Sequence, residues 1–238
     1  MCFHYSLTQA VTAIEQQLDM EPSPPLPPVY HADAFVFPEQ PVVLRAEGLH
    51  TRLIRWGLIP HWVKSREEAD TLRTLTLNAR AETVFDKPSF RASIAARRCL
   101  VPADGFFEWM EVSGKKYPHY ISRKDRAVFA LGGIWSAWTD PLTGEWIPTF
   151  SLLTTAANPM MARIHNRKQR MPVVVPPSRY AEWLSPALDQ PAIRSFFAPY
   201  SDEPWQAHTV SRHLSARSAI RYAPEVIQPF TYPELALG

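Results

Sequence analysis

The chain has 238 residues, of which 46% are hydrophobic and 20% charged, with a formal net charge of +2. That balance excludes a disordered or fibrous chain and leaves room for a sizeable core, in one large domain or two small ones. The charge is too mild to prove a nucleic-acid partner, and no apolar run approaches the ~18 residues of a membrane span. Two cysteines, Cys2 and Cys99, with no secretory leader, predict reduced thiols in the cytoplasm.

Proline is abundant (24) and glycine scarce (8), which argues for many short, stiffly connected elements. In chain order, residues 6–20 read as an amphipathic helix. Leu7, Val11, Ile14 and Leu18 fall on one face, and Ser6 or Thr8 caps its start. The proline-rich stretch 21–28 ends it as a rigid connector. From Val42 onward, apolar runs predict strands at 42–45, 53–57, 74–78, 99–102, 106–112, 117–122, 128–134, 150–155 and 172–175. Short helices are predicted at 89–97, 178–184 and 191–198, and the charged stretch 63–73 reads as a mobile surface loop. The expected fold is α+β: a curled, partly barrel-like and mainly antiparallel sheet with a few short helices. One domain is expected over 1–238.

Four patterns carry chemistry. The first is Met1-Cys2. Removal of the methionine leaves an α-amine and a thiol on adjacent carbons, with ordinary pKa values of about 7.7–8.0 and 8.5. Such a 1,2-aminothiol forms an imine with an aldehyde and then closes to a thiazolidine ring. The second is Asn78-Ala79-Arg80-Ala81-Glu82, where Asn78 and Arg80 share a face at a strand end. The third is Gly105-Phe106-Phe107-Glu108-Trp109. Here Gly105 permits a bend, and Glu108 among aromatics is either poorly solvated, hence a raised acid/base, or turned outward from an edge strand. The fourth is Ile164-His165, followed by Asn166, Arg167, Lys168, Gln169, Arg170, Met171 and Pro172. His165 has polar and basic neighbours, which favours a site role over a structural one.

Together, in this order, these elements resemble the SOS response-associated peptidase family over essentially the full length. Arg55-Trp56-Gly57-Leu58-Ile59-Pro60-His61-Trp62, Arg98-Cys99-Leu100-Val101-Pro102 and Thr154-Thr155-Ala156-Ala157-Asn158 add to the likeness. The resemblance implies covalent capture of abasic sites in single-stranded DNA through a thiazolidine link from Cys2, with lyase-type cleavage and self-reversal as further activities. It implies that Asn78 hydrogen-bonds the terminus, that Glu108 manages the proton on the Cys2 amine, and that His165 donates a proton to open the sugar. Arg80 would contact phosphate, as would Arg167 or Arg170. Trp62 has two readings: exposed, it stacks on a base or wedges into a duplex end, and otherwise it belongs to the core. The chain departs from the family pattern at Phe3-His4, where relatives carry Gly-Arg, so His4 is a candidate for the missing phosphate contact. It departs again at Tyr30-His31-Ala32-Asp33-Ala34-Phe35, and Lys168 and Gln169 lengthen the histidine motif. No cofactor is implied; the expected partner is abasic single-stranded DNA, met by a monomer.

Three rival readings stand beside this one. An amino-terminal cysteine hydrolase, either an autopeptidase or an amidohydrolase, also begins Met-Cys. A non-covalent single-strand binder would make Cys2 incidental. A metal site on Cys2, His4, His31 or Cys99 lacks the usual ligand spacing, so no metal is expected.

Overall fold

The computed structural model describes residues 2–215 and 219–235; Met1, whose removal the aminothiol chemistry needs, lies outside them. Thirteen strands are described: β1 (His4–Leu7), β2 (Val29–Asp33), β3 (Glu39–Arg45), β4 (Leu49–Trp56), β5 (Asn78–Arg80), β6 (Arg98–Ala103), β7 (Gly105–Val112), β8 (Lys115–Arg123), β9 (Phe129–Thr139), β10 (Trp146–Ala156), β11 (Arg170–Pro172), β12 (Val174–Val175) and β13 (Trp205–Thr209). The helices are short: α1 (Thr12–Gln17), α2 (Arg66–Leu75), α3 (Arg91–Ala96), α4 (Pro159–Ile164), α5 (Tyr180–Trp183) and α6 (Gln190–Arg194). None is long and apolar enough to cross a membrane.

Strands β10, β4, β3, β6 and β9 pair in that order, and β9 pairs back onto β10 to close a five-stranded barrel. Only the β4–β10 contact in this ring is parallel. β10 outruns its barrel neighbours. From Leu152 it pairs with β5 on one edge, and from Thr154 with β11 on the other. A second sheet has the order β13-β8-β7-β1-β2. The chain passes from barrel to second sheet at Asp104, between β6 and β7, and returns between β8 and β9. The α+β, mainly antiparallel and partly barrel-like fold expected from the sequence is the one that forms.

Inside, continuous apolar runs fill the space. Trp56, Phe150, Leu152, Leu44 and Phe106 are buried in the cluster that also holds Cys2 and Cys99. Two of the buried tryptophans anchor the core through their indole donors: Trp56 Nε1 donates to Leu77 O at 2.8 Å and Trp183 Nε1 to Cys99 O at 2.9 Å.

Four local expectations are corrected. The helix predicted over 6–20 is a strand, β1, followed by the shorter α1. Leu7, Val11, Ile14 and Leu18 are all buried, so the apolar pattern marked burial without fixing the element. Ser6 and Thr8 cap no helix; their hydroxyls bond the buried Asp104 carboxylate at 2.5 Å each. β1 itself pairs with β2 on one side and β7 on the other. The stretch 63–73 is no loop, since α2 occupies most of it. Ser65 Oγ accepts from Glu68 N at 3.1 Å, and Glu68 Oε2 accepts from Lys64 N at 3.2 Å, a near capping box. Ala69 and Leu72 then pack with Ile59, Val63 and Trp138. In consequence Thr74 and Leu75 end a helix, and the strand predicted at 74–78 starts only at Asn78. Finally, Gly105 has no unusual backbone angle. A Cβ there would lie 2.1 Å from the Tyr120 ring, so the glycine makes space, not a bend.

Candidate active site

β1 delivers Cys2. Its register, Tyr5 opposite Phe106 and Ser6 opposite Gly105, carried back along the antiparallel pair sets residues 2 and 3 beside Glu108 and Trp109. Ala34 N donates to Phe3 O at 2.9 Å, so the chain is still held at that point. Cys2 is fully buried, and its Sγ lies 3.8 Å from His4 O. Burial, reinforced by the nearby Glu108 carboxylate, pushes the Cys2 thiol far above its ordinary value.

Glu108 comes from β7 and His165 from the C-terminal end of α4. Asn158 caps that helix, its Oδ1 accepting from Met161 N at 2.8 Å. The turn after the helix is fastened to β7 by a reciprocal pair: Asn166 Nδ2 donates to Glu111 O at 2.8 Å, and Glu111 N donates to Asn166 Oδ1 at 3.1 Å. Gln169 adopts a left-handed backbone (φ 49°) to complete the turn, its N–H donating to His165 O at 2.8 Å. This clamp sets His165 Nδ1 3.6 Å from Glu108 Oε1.

The electrostatics separate the two groups. Burial lifts the Glu108 carboxyl from 4.5 to about 7. Burial lowers His165 to about 4, with Lys168 and Arg170 adding to the effect. At neutral pH the 3.6 Å contact therefore joins a neutral ring to a half-titrated acid and is not an ion pair. His165 Nδ1 is 2.9 Å from Arg170 O. A carbonyl only accepts, so Nδ1 carries the hydrogen and Nε2 is an acceptor. Of the two readings the sequence left open for Glu108, a poorly solvated carboxyl raised by burial or one turned outward, the fold has the first.

A cavity of about 690 Å³ opens over this pair, lined by Phe3, His4, Glu108, Trp109, Glu111, Lys116, His165, Arg167 and Lys168. Arg167 reaches it with its side chain 70% exposed, held loosely by Glu111 at 3.1 Å. Arg170 is placed differently: its guanidinium pairs with Glu82 through two nitrogens and donates to Thr154 O at 2.6 Å. Arg80 is exposed at the end of β5 and opposite Thr154. Asn78 begins the same strand, and both polar atoms of its carboxamide are buried without a hydrogen-bond partner among the described residues. Trp62 is 41% exposed between β4 and α2 and is not among the cavity-lining residues.

His4 lines the cavity but belongs to a second network. Its Nδ1 lies 2.9 Å from His31 Nε2, and His31 Nδ1 lies 3.1 Å from Arg221 O. The Arg221 carbonyl fixes the whole relay: His31 donates to it, so His4 Nδ1 donates to His31 and His4 Nε2 remains an acceptor. Burial, with His31 and Arg221 adding, holds the His4 ring well below its ordinary pKa. The ring is thus neutral and offers no donor from Nε2 to a phosphate oxygen. Asp33 completes the network, paired with Arg221 and 3.5 Å from His4. Among the described residues no group of histidine, cysteine and carboxylate side chains is arranged to hold a metal ion.

Sequence reasoning passed over Trp109 and Lys116 as cavity walls. Trp109 had a visible signal, because it follows Glu108 in the aromatic run. Lys116 had none, since only the β7–β8 register, Glu111 opposite Lys116, brings it in.

A profile of the family described as SOS response associated peptidase (SRAP) matches residues 1–216. The chain belongs to the SRAP family. It is 34% identical over 233 residues to the abasic site processing protein YoqW of Bacillus subtilis (strain 168), covering 96% of this chain and 99% of that one. It is 30% identical over 141 residues to the abasic site processing protein HMCES of Gallus gallus, 51% of this chain and 41% of that protein. A crystal structure of a protein from Bacteroides thetaiotaomicron superposes with a TM-score of 0.88 at 35% identity, covering 97% of this chain and all of that one. The SRAP match spans every residue that lines the cavity; Arg221, of the His4–His31 network, lies beyond it.

Proposed function

We propose that this protein processes abasic sites in DNA, and that it does so by covalent capture of the ring-opened sugar aldehyde in single-stranded DNA by the amino-terminal Cys2. The relatives named above as abasic site processing proteins support the substrate. The observation that carries the mechanism is Glu108: a buried carboxyl titrating near 7, at the floor of a cavity, beside Cys2.

The chemistry follows from the proton positions. Burial keeps the Cys2 sulfur a thiol at neutral pH, so it is a poor first nucleophile. The α-amine, freed by removal of Met1, attacks the aldehyde carbon instead. The carbonyl oxygen leaves as water and an imine forms. Glu108 near its midpoint can take the proton the amine sheds and return it to the departing oxygen. The sulfur then adds to the imine carbon, the C=N pair returns to nitrogen, and the thiol proton passes to that nitrogen. The sum is aldehyde plus aminothiol giving thiazolidine plus one water.

His165, held neutral with Nε2 as acceptor, suits orienting a hydroxyl of the opened sugar. Asn78 offers both a donor and an acceptor to the terminus or ring. Lys116, Arg167 and Lys168 supply positive charge at the mouth for phosphate, with Arg80 further along and Arg170 holding the frame. Trp62 and Trp109 offer faces for base stacking. An account led by a free thiolate, as a hydrolase would need, meets the buried thiol as an obstacle.

The test is incubation with abasic single-stranded DNA followed by denaturing electrophoresis. Wild type should give a heat-stable adduct, Cys2→Ala none, and Cys2→Ser at best a hydrolysable one. A denaturation-resistant adduct with Cys2→Ala would overturn the assignment.

A further inference from the structure

His4 holds its proton in a way that the capture chemistry does not use. Its Nδ1 faces two acceptors, His31 Nε2 at 2.9 Å and Asp33 Oδ1 at 3.5 Å. His31 Nδ1 donates to the carbonyl of Arg221 at 3.1 Å, which leaves His31 Nε2 without a hydrogen. Both contacts put the His4 hydrogen on Nδ1, so its Nε2 presents a lone pair. Nδ1 is turned to these buried partners, which leaves the Nε2 edge for the cavity that His4 lines. The relay is held in place. His31 lies between the rings of Phe107 at 5.5 Å and Tyr222 at 5.8 Å, and Asp33 is paired with Arg221.

The surroundings of this acceptor are flat and apolar. Trp109 meets the His4 ring edge-on at 4.9 Å, and Phe35 lies 5.9 Å from it. Phe3 lies 4.9 Å from Phe35, which is 57% exposed and extends the aromatic surface to solvent. Phe3 and Trp109 line the same cavity as Glu108. A fixed acceptor among aromatic rings selects its ligand by chemistry. A phosphodiester offers only acceptors, which the lone pair repels. Aromatic faces favour a planar partner. With the opened sugar held at Cys2 and Glu108, the planar group that enters the same cavity is a base next to it on the strand. Adenine N6 and cytosine N4 are donors, whereas thymine carries a carbonyl, O4, in that place.

We propose that His4 Nε2 reads the base beside the abasic site, accepting a hydrogen bond from the exocyclic amino group of adenine or cytosine while Phe3 and Trp109 hold the plane of the base. The inference rests on abasic single-stranded DNA as the substrate, as proposed above. It makes His4 a specificity residue, outside the bond-making steps.

The experiment varies one neighbour of the site at a time, on each side in turn. Adenine is compared with purine, which lacks only the amino group, and cytosine with uracil, which has a carbonyl in its place. Fluorescence anisotropy with the tetrahydrofuran analogue of the abasic sugar reads recognition without capture. The rate of adduct formation with a true abasic site, at protein well below saturation, reads the consequence. On one side of the site wild type should bind the adenine strand roughly ten-fold more tightly than the purine strand, the worth of one hydrogen bond to an acceptor otherwise left unpaired. Capture rates should follow the same ratio. His4→Phe keeps an aromatic ring and loses both nitrogens, and its ratio should fall to about one. His4→Arg puts donors where the acceptor stood, and should prefer uracil to cytosine. Each ratio is taken within one variant, so a general loss of fold lowers both members and cancels. Wild type that ignores the amino group on both sides would overturn the proposal. So would a His4→Phe ratio equal to that of wild type, or capture by His4→Phe slowed equally for every neighbour with binding unchanged. If wild type forms no adduct while its binding ratio stands, the capture reading fails and this inference holds; a ratio of one with capture intact sinks this inference alone.

Discussion

Replacing Glu108 by glutamine keeps the shape of the side chain and removes its titration. In the fold the carboxyl is raised by burial from 4.5 to about 7. Between pH 4.5 and 7 the folded state therefore holds a proton that the unfolded chain has released. Stability falls as pH rises through that window, the reverse of a carboxylate held low by a salt bridge. Above pH 7 both states are ionised and the loss is complete, at about 3 kcal/mol for a shift of this size. Glutamine never ionises and escapes the loss. Urea denaturation should find Glu108→Gln and wild type alike near pH 4.5. Near pH 8 the variant should be the more stable by about 3 kcal/mol, while its capture of abasic DNA slows most clearly around neutrality. A variant no more stable at pH 8, or a difference that ignores pH, would refute the idea that Glu108 is a carboxyl lifted by burial. The combination of higher stability and lower activity is the signature of a group kept for chemistry.

The two arginines of the histidine motif should separate by assay. Arg167→Ala, at a mostly exposed site, should change stability by less than about 0.5 kcal/mol yet weaken DNA binding and lower the salt slope by about 1. Arg170→Ala strips the partners of Glu82 and Thr154 and should cost about 1–3 kcal/mol in denaturant unfolding. Asn78→Ala removes a buried carboxamide with no partner among the described residues; its melting temperature should hold or rise while capture slows, and a clear fall in melting temperature would mean a structural role. Gly105→Ala should destabilise by about 1–3 kcal/mol or more, since the new methyl meets the Tyr120 ring at 2.1 Å.

Much of this architecture could be read along the chain, and the exceptions have physical causes. The strands at 99–102, 106–112 and 117–122 were legible because each is a local apolar run, and each lies within β6, β7 or β8. β1 was not, because Leu7, Val11, Ile14 and Leu18 satisfy a helical period whatever element buries them. Helix α2 left a signal in Ser65 and Glu68 that the surrounding charges obscured. Closure of the barrel was invisible, as it depends on β10 pairing with β4, β5, β9 and β11 at different points along its length. In the site, Cys2, Glu108 and His165 stood out by residue type and neighbours. Their division of labour was only half legible: the aromatic run offered a raised Glu108 as one of two readings, and the depth of burial in the fold decides between them. The His4–His31–Arg221 relay joins residues as many as 190 positions apart, beyond the reach of local pattern.

The central claim concerns the amine of Cys2 more than its sulfur. Intact mass under denaturing conditions, after incubation with abasic single-stranded DNA, tests it on two preparations: protein beginning at Cys2 and protein that keeps Met1. The first should gain the mass of the DNA less one water, and the second should gain nothing. An equal covalent gain by protein retaining its methionine would contradict the account.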